Sequence, residues 1–323
     1  MITFGPVPSR RLGQSLGINN IPPKSCTYSC VYCQVGPTHQ QEITPRTFYS
    51  PEEILTAVES SLKAAERAGE VIDYLTFVPD GEPSLDENLS TTIKLLRPFG
   101  VKIAVISNAS LIWREDVRER LGAADWLSLK IDSIDEIIWK RINQPHPDLR
   151  LDAILEGIQL MANSFRGELT TETMLVDGIN NNDKSLSEVG KFLAQLNPAK
   201  AYLAAPIRPA AEAGIHPPSE EQINQAFQII FQYFPRLEYL IGYEGNAFAS
   251  TGDFATDLLS ITSVHPMREE AVKELLKKSD KTWQAVSTLI NTGQLKEIEY
   301  EGHRFYIRTM KNTPINSSRD NTV

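Results

Sequence analysis

The feature that most constrains the fold is a regular alternation of strand and helix patterns up to residue 234. Strand-like segments fall at 15–19, 71–78, 101–107, 125–131, 169–176 and 201–206. Apolar residues at helical spacing separate these segments, and the last helical pattern covers 219–234. Such alternation is typical of a parallel sheet with right-handed crossovers. We therefore predict an α/β fold of six strand–helix units, either partly closed as an incomplete barrel or open and doubly wound.

Two of the predicted helices carry capping signals at their first residues. Ser50 and Glu53 have the spacing of a capping box, and the proline directly after Ser50 suits the first helical position. Ser84 and Glu87 have the same spacing and predict a second capping box, which would open a helix that continues to Leu96.

The end of the chain has a different pattern. Two helical segments, at 266–277 and 281–291, precede two strand-like segments that flank the turn Glu301-Gly302, a hairpin signal. Two helices followed by a hairpin resemble a winged-helix module. The predicted parts of the chain are a core domain at 1–245, a linker at 246–257, a winged-helix-like domain at 258–312 and a disordered tail at 313–323.

Composition limits the classes of function. The formal net charge of −9 argues against an electrostatic grip on nucleic acid by the whole protein. The final domain is only mildly basic, so a nucleic-acid partner has weak support there as well. No apolar run approaches the roughly 18 residues of a membrane-spanning helix, and the first residues lack a secretory signal. We therefore predict a cytoplasmic protein with no membrane partner.

The chain has three cysteines, and they lie within eight residues of one another. Cys26, Cys30 and Cys33 have the spacing Cys-x3-Cys-x2-Cys, with Tyr32 directly before the last cysteine. An odd, low count argues against a disulfide framework. Three thiolates can ligate a four-iron cluster and leave its fourth iron open to an exchangeable ligand.

This cysteine string resembles the signature of the radical S-adenosylmethionine (SAM) superfamily. The resemblance implies a [4Fe-4S] cluster on Cys26, Cys30 and Cys33, with SAM bound to the open iron through its amino and carboxylate groups. It also implies that SAM is cleaved reductively to a 5′-deoxyadenosyl radical, which abstracts hydrogen from a substrate. Tyr32 matches the aromatic position that lies against the adenine.

Three later segments resemble superfamily elements in the same order. An Asp-Gly-Glu-Pro string after the second strand resembles the Gly-Gly-Glu element that holds the SAM amino group, and Glu82 is its expected anchor. A Ser-Asn pair after the third strand resembles the Thr-Asn-Gly turn near the ribose and methionyl part. The end of the fourth strand is where superfamily members carry a polar SAM contact. The implied cofactor-binding residues are Tyr32, Asp80, Gly81, Glu82, Ser107, Asn108, Lys130 and Asp132.

An independent physical argument brings these segments together. Each of them follows directly after a predicted strand, and the carboxyl ends of parallel strands share one face of an α/β fold. Side chains far apart in sequence would therefore converge on one site. The fold we predict is a partial (β/α)6, TIM-like barrel followed by the winged-helix-like domain.

Other interpretations stay open. His39 could complete a Cys3His zinc site with the three cysteines. The protein could also be an iron–sulfur sensor that regulates transcription through its winged helix. An Asp-Gly-Glu-Pro string alone is a common turn, and Asp132 suits a helix cap. Arg10, Arg11 and Arg208 could hold an anionic substrate, although surface solvation is the usual role of arginine.

The opening string GPVPSRRLG looks most similar to a group of radical SAM proteins related to wyosine-type tRNA-modifying synthases. Those synthases use a second iron–sulfur cluster with cysteines of its own, and this chain has none left for one. The substrate, an RNA, a protein or a metabolite, is therefore not identified. The resemblance implies a low-potential electron donor of the flavodoxin or ferredoxin type.

Overall fold

The computed structural model describes residues 2–38, 40–241, 248, 253–264 and 266–309. His39, half of the predicted linker and the predicted tail lie outside these ranges. The strands of the larger sheet are β1 Thr3–Ser9, β2 Gly13–Ile18, β3 Tyr74–Phe77, β4 Lys102–Ser107, β5 Trp126–Lys130, β6 Glu168–Met174, β7 Lys200–Ala204 and β8 Leu237–Leu240. The helices that accompany them are α1 Pro51–Arg67, α2 Leu89–Leu96, α3 Glu115–Leu121, α4 Glu136–Asn143, α5 Leu151–Ser164, α6 Asp183–Leu196 and α7 Glu220–Phe231.

The eight strands follow one another across the sheet in sequence order. β1 pairs antiparallel with β2, and every neighbouring pair from β2 to β8 is parallel. The sheet curls into a half-barrel, which confirms the predicted α/β class and partial barrel. The carboxyl ends of the parallel strands consequently lie along one edge of the sheet, called the mouth below.

The six predicted strand–helix units are present, and the sheet has one further strand at each of its two ends. β8 is a seventh parallel strand, and β1 adds an antiparallel strand at the opposite edge. β8 has only four residues, and its two central side chains are exposed, so it lacks the apolar run of a buried strand. β1 contains Pro6 and Pro8, which strand patterns normally exclude but which an edge strand tolerates.

The first predicted capping box is confirmed and the second is wrong. The Ser50 hydroxyl accepts a hydrogen bond from the Glu53 backbone N–H at 3.1 Å, and the Glu53 carboxylate accepts one from the Ser50 N–H at 2.7 Å. The Ser84–Glu87 box does not form, because the Ser84 N–H donates to the side chain of Glu82. A short 3-10 turn therefore occupies 83–85, and α2 begins after it.

The two faces of the sheet have different side chains. Ile103 and Val105 of β4 belong to the main core, which also contains buried residues of the helices. Ala104, between them in the sequence, faces the inside of the half-barrel, as does Ala204 of β7. These small side chains leave space inside the curled sheet near the mouth. No helix within the described ranges is both long and apolar enough to cross a membrane.

The C-terminal unit contains the predicted helices and hairpin, together with one helix that the sequence patterns missed. Its elements are α8 Phe254–Val264, β9 Met267–Arg268, α9 Glu269–Lys278, α10 Trp283–Asn291, β10 Leu295–Tyr300 and β11 His303–Arg308. α8 begins inside the segment predicted as a linker. Glu301 and Gly302, the hairpin turn, both have positive φ angles, of 50° and 72°, as a two-residue type I′ turn requires. That the unit is a winged-helix domain stays a prediction.

The hairpin turn of this unit contacts the barrel. The Tyr300 hydroxyl donates to the carbonyl of Pro206 at 2.8 Å, and the Glu301 carboxylate lies 3.0 Å from the His216 ring. Pro206 and His216 belong to the connection that follows β7 at the mouth. The tip of the hairpin is thus attached to a loop that borders the candidate site.

Candidate active site

A cavity of about 310 Å³ opens at the mouth of the half-barrel. Each of the eight strands of the larger sheet, or the loop that follows it, contributes residues to its lining. The sequence-predicted residues that line it are Cys26, Cys30, Tyr32, Cys33, Asp80, Gly81, Lys130 and Arg208. The predicted convergence of the post-strand segments on one site is therefore observed for these eight residues. We call this set the cavity wall.

The cysteine loop is held by backbone contacts on two sides. On one side, the Glu82 N–H donates to the Ser25 carbonyl at 3.0 Å. On the other, the Val31 N–H donates to the Ile142 carbonyl at 3.0 Å, at the end of α4. A Cβ atom on Gly81 would lie 1.9 Å from the Ser25 carbonyl oxygen, so this close approach requires a glycine. Gly81 thus allows the loop after β3 to pack closely against the cysteine loop.

The three thiols border the same cavity. All three are free and partly buried. Burial raises the pKa of Cys26, and it raises the pKa of Cys30 to about 12, with the nearby Asp132 carboxylate acting in the same direction. Thiols in such a site ionise when a metal or another positive group balances the charge. The chemistry of the three donors therefore suits metal ligation.

Two carboxylates of the Asp-Gly-Glu-Pro string have opposite environments. Glu82 is fully buried, and its carboxylate accepts hydrogen bonds from the Ser107 hydroxyl at 2.7 Å, the Asn108 N–H at 2.7 Å and the Ser84 N–H at 3.0 Å. Glu82 is absent from the cavity lining. Asp80 does line the cavity, and its buried Oδ1 has no hydrogen-bond partner among the described residues.

The electrostatics of Asp80 follow from this position. Burial raises the pKa of Asp80 to about 7, against the opposing effects of the Lys24 ammonium and the Arg308 guanidinium. Burial also raises the pKa of Glu82, but the three hydrogen bonds to its carboxylate act in the opposite direction. Of the two carboxyl groups, Asp80 is the one that lines the cavity. A cationic ligand bound there would stabilise its charged form.

Several of the predicted residues form a layer behind the cavity wall. Asp132 accepts hydrogen bonds from the Tyr32 hydroxyl, from Nδ2 of Asn143 at 2.8 Å and from the Met174 N–H at 2.8 Å. The Tyr32 ring is therefore fixed in orientation. Asp132 is not a helix cap, since α4 is capped by Asp135. The set that we call the supporting layer consists of Glu82, Ser107, Asn108, Asp132 and Asn143.

A buried ion-pair group crosses the inside of the half-barrel. Glu172 of β6 lies 2.7 Å from the Lys130 ammonium and 2.6 Å from the Arg11 guanidinium. These two cations outweigh the effect of burial and lower the pKa of Glu172 to about 2. Arg11 also lies near the rings of Trp126 and Tyr202. The expectation that Arg11 is a solvated surface residue was wrong, because the turn after β1 directs it inward.

Two other arginines are anchored near the cavity. Nη1 of Arg10 donates to the carbonyl of Ile241 at 2.5 Å, and so connects the first turn of the sheet to the residue after β8. Arg208 is 9% exposed and donates to Oε1 of Gln34 at 2.8 Å. Surface solvation was therefore the wrong expectation for Arg208 as well.

Comparison with known proteins decides the family. The sequence model of the Radical SAM superfamily matches residues 20–189. The chain belongs to the radical SAM superfamily. The prediction drawn from the cysteine string and the later segments is thereby confirmed at the level of the family. Membership of this superfamily makes the protein a radical SAM enzyme, and the family implies SAM and an iron–sulfur cluster as its cofactors.

Two relatives in the curated proteins have a name that states no activity. A UPF0026 protein of Methanocaldococcus jannaschii is 49% identical over 324 residues, which cover 100% of this chain and 98% of that protein. A UPF0026 protein of Helicobacter pylori is 33% identical over 213 residues, which cover 65% of this chain and 68% of that protein.

Solved structures support the same fold. A radical SAM methyltransferase from Sphaerobacter thermophilus superimposes with a TM-score of 0.56 at 17% identity, over 71% of this chain and 67% of that one. A structure of TYW1 with a lysine-pyruvate adduct bound gives a TM-score of 0.54 at 16% identity, over 68% and 73% of the two chains. At these identities the likeness shows the fold alone.

The residues present fit the cofactors of a radical SAM enzyme. Three thiols and an unpartnered carboxylate oxygen border one cavity. Among the described residues, no three His, Cys, Asp or Glu side chains are grouped so that they could hold one metal ion. The thiolates of a four-iron cluster bind different irons, so three thiols that border one cavity suit such a cluster.

Some residues of the site were missed by the sequence analysis. Asn143 ends α4 in a string without any motif, and only the fold brings it to the cysteine loop. Lys24 lies two residues before Cys26, and its ammonium approaches Cys33. Glu172 had a usable signal, because a charged residue in the middle of a buried strand needs a partner of opposite charge.

Proposed function

We propose that this radical SAM enzyme binds a [4Fe-4S] cluster through Cys26, Cys30 and Cys33 and uses it to cleave SAM reductively. The observation that carries the proposal is the common cavity: the three thiols border the same space as Asp80 and Lys130. With both groups bound, the chemistry supplied is the transfer of one electron into SAM, whose cleavage gives methionine and a 5′-deoxyadenosyl radical that takes a hydrogen atom from the substrate.

Asp80 is the residue that we assign to the SAM amino group. Its Oδ1 has no hydrogen-bond partner within the described part of the chain. A carboxylate–ammonium hydrogen bond in a buried site is among the stronger polar contacts. Glu82, the anchor expected from the sequence, has its oxygens occupied by protein groups. In this proposal Glu82 positions the segment at Ser107 and Asn108 and does not contact the cofactor.

Tyr32 and Lys130 are assigned to the other parts of SAM. The Tyr32 ring is held by its hydroxyl bond to Asp132, so it can offer a fixed face to the adenine without reorganisation. The Lys130 ammonium lies 4.8 Å from the centre of that ring and contacts Glu172. It retains hydrogen-bonding capacity for an oxygen of the cofactor, since an ammonium has three donors.

The substrate is not identified by the site. An RNA or a protein is possible in this proposal, and so is a sizeable metabolite. Arg208 lines the cavity from the loop after β7 and is the side chain we assign to substrate contact. A low-potential donor of the flavodoxin or ferredoxin type would supply the electron, and a cytoplasmic location, as predicted from the sequence, agrees with such a donor.

The C-terminal unit, as a winged-helix-like domain, is proposed to border the site rather than to bind DNA. Tyr300 and Glu301 at its hairpin turn contact Pro206 and His216 of the barrel. α10, the second helix before the hairpin, has no charged residue, although each phosphate contact of a DNA-binding helix needs a donor or a cation. Both observations favour the enzyme over the iron–sulfur sensor that regulates transcription.

The test is anaerobic. The protein is reconstituted with iron and sulfide, reduced with dithionite and incubated with SAM, and 5′-deoxyadenosine is quantified by chromatography. We expect several turnovers in the wild type and none in Cys30→Ala, which loses a cluster ligand. Asp152→Asn, at an exposed site on α5, is the matched control and should keep full activity.

Three other outcomes would decide against the proposal. Undiminished cleavage in Cys30→Ala would show that the cysteine loop is not the cluster site. A colourless protein that purifies with one zinc per chain would support the zinc interpretation. A verified cluster without SAM cleavage, combined with sequence-selective DNA binding that changes with cluster oxidation, would support the sensor.

A further inference from the structure

Each cysteine sulfur of the loop has a side-chain nitrogen of its own. Nδ2 of Asn143 lies 3.4 Å from Sγ of Cys30, and Nδ2 of Asn108 lies 3.6 Å from Sγ of Cys26. Nζ of Lys24 lies 4.0 Å from Sγ of Cys33. The three nitrogens come from α4, from the turn after β4 and from the loop itself, so no local sequence pattern creates the arrangement.

The amide of Asn143 is oriented by Asp132, which accepts a hydrogen bond from it. Its Nδ2 donates to Oδ2 of Asp132 at 2.8 Å as well as to Cys30. The same Asp132 oxygen accepts from the Tyr32 hydroxyl, and only the NH2 group of the Asn143 amide can donate to it. The N–H donor at Cys30 is thus fixed by the protein.

The amide of Asn108 is oriented from the opposite end. Its Oδ1 accepts a hydrogen bond from the Ser110 N–H at 2.9 Å, which a nitrogen could not do. Nδ2 therefore faces Cys26 and the Thr27 hydroxyl, the latter at 2.9 Å. The backbone of Asn108 is held in turn by Glu82.

Both asparagines are also tied to the cysteine loop, so their distances to sulfur are part of the fold. Asn143 is 3% exposed, and its carbonyl accepts from the Ser29 N–H at 3.1 Å, between Cys26 and Cys30. A hydrogen bond to a cluster sulfur stabilises the reduced form, which carries one more negative charge. In a site from which water is largely excluded, such a donor acts at low local dielectric and has a larger effect.

We infer that Asn143 and Asn108 are positioning residues that donate N–H···S hydrogen bonds to Cys30 and Cys26 and thereby raise the reduction potential of the cluster. Lys24 has the same role at Cys33. The inference rests on the proposed function, since it assumes a cluster on these three cysteines. It goes beyond it in assigning the protein groups that make this cluster easier to reduce.

The experiment measures the midpoint potential of the reconstituted cluster by an anaerobic redox titration followed by EPR, in the absence of SAM. Asn143→Leu and Asn108→Leu keep the side-chain size and remove one donor each. We expect each to shift the midpoint to a more negative potential, and the double variant to shift it by about the sum, because the donors act on different sulfurs.

The matched control is Asn180→Leu. Asn180 is 2% exposed and its Nδ2 also lies beside Asp132, where it donates to the backbone carbonyl at 2.9 Å. If Asn143 acted only through the packing around Asp132, Asn180→Leu and Asn143→Leu would shift the midpoint potential equally. That result would overturn the inference. An unchanged midpoint in Asn143→Leu with four irons per chain would overturn it as well.

Asn108→Asp keeps the test decisive if the leucine variants do not assemble a cluster. An aspartate has the same shape, can still accept from the Ser110 N–H and can accept from the Thr27 hydroxyl, so the local fold is retained. It lacks the N–H donor to Cys26, and we expect a more negative midpoint; an unchanged one contradicts the inference. Failure of the wild type to assemble a four-iron cluster would instead refute the proposed function, before any variant is compared.

Discussion

The cavity wall and the supporting layer each contain a buried carboxyl group, and the two groups differ in their hydrogen bonding. Asp80 and Glu82 are two positions apart, and both are buried carboxyl groups. Glu82 in the supporting layer accepts hydrogen bonds from Ser107, Asn108 and Ser84, whereas one carboxylate oxygen of Asp80 in the wall has no hydrogen-bond partner in the part of the chain that the structure describes. Burial of the Asp80 carboxylate in the wall therefore lowers the stability of the fold until a ligand binds to it. The hydrogen bonds of the supporting layer stabilise the fold and offset this loss.

The largest effect we expect is a gain in stability from Asp80→Asn without cofactors. The pKa of Asp80 is about 7 in the fold and 3.8 as its ordinary value. Between these values the unfolded chain has lost the proton that the fold retains, so stability falls as the pH rises, and the penalty is complete above about pH 7. A shift of about three units sets a ceiling of about 4 kcal/mol on the gain at pH 8.

The measurement is urea unfolding of the cofactor-free protein at pH 8 and at pH 4. Asp80→Asn should be more stable than the wild type at pH 8, and the difference should shrink towards pH 4. A variant that is less stable at pH 8 would show that Asp80 already has a partner in the wall, and the contrast between the two regions would disappear.

Glu82→Leu should have the opposite effect. It leaves the Ser107 hydroxyl and the N–H groups of Asn108 and Ser84 without their acceptor in a buried site, which we expect to lower the free energy of unfolding by about 3 kcal/mol. Urea unfolding at pH 8 measures the loss. Glu59→Gln, on the exposed side of α1, is the control and should change stability by less than about 0.5 kcal/mol. Equal stability of Glu82→Leu and the wild type would mean that the hydrogen bonds to the Glu82 carboxylate do not stabilise the fold.

The affinity for SAM also tests the assignment of Asp80, rather than Glu82, to the SAM amino group. Loss of a charge-assisted hydrogen bond, about 1.5 to 3 kcal/mol, should weaken SAM binding to the cluster-loaded Asp80→Asn protein by roughly 10- to 100-fold. Anaerobic titration calorimetry gives the dissociation constant. Wild-type affinity should also rise with pH through about 7, as Asp80 ionises, and this dependence should be absent in the variant. A pH-dependent affinity in Asp80→Asn identical to that of the wild type would assign the amino group to another residue.

The smallest effect concerns the attachment of the C-terminal unit. Tyr300→Phe removes the hydroxyl that donates to the Pro206 carbonyl, and we expect a loss of about 1 kcal/mol in unfolding free energy with no change in SAM affinity. Tyr239→Phe, on an exposed strand position, is the control. A large loss of SAM affinity in Tyr300→Phe would mean that the hairpin shapes the cofactor pocket itself.

The sequence predicts the fold well where local patterns and burial agree. The strands from β2 to β7 and the capping box at Ser50 follow from apolar periodicity and from hydrogen-bonding groups close in sequence. The errors arise where tertiary contacts override local signals. Glu82 takes the N–H of Ser84 and prevents its capping box, and β8 is too short and too exposed to give a strand pattern.

The candidate site shows the same limit. The rule that parallel strands end on one face brings Asp80, Lys130 and the cysteines together without knowledge of the structure. It does not say which side chain of a post-strand segment faces the cavity, because a change of one or two positions reverses the direction of a side chain. Asn143 has no signal at all, since its contact with Cys30 depends on how α4 packs against the loop.

The most direct test of the account is the EPR spectrum of the reduced protein before and after addition of SAM. A cluster held by Cys26, Cys30 and Cys33 has one iron without a protein ligand, and SAM should bind there. We predict that SAM changes the spectrum of the wild type, and that Asp80→Asn needs a higher SAM concentration for the same change. A reduced four-iron spectrum that stays the same at saturating SAM would contradict the assignment of this cavity as the active site.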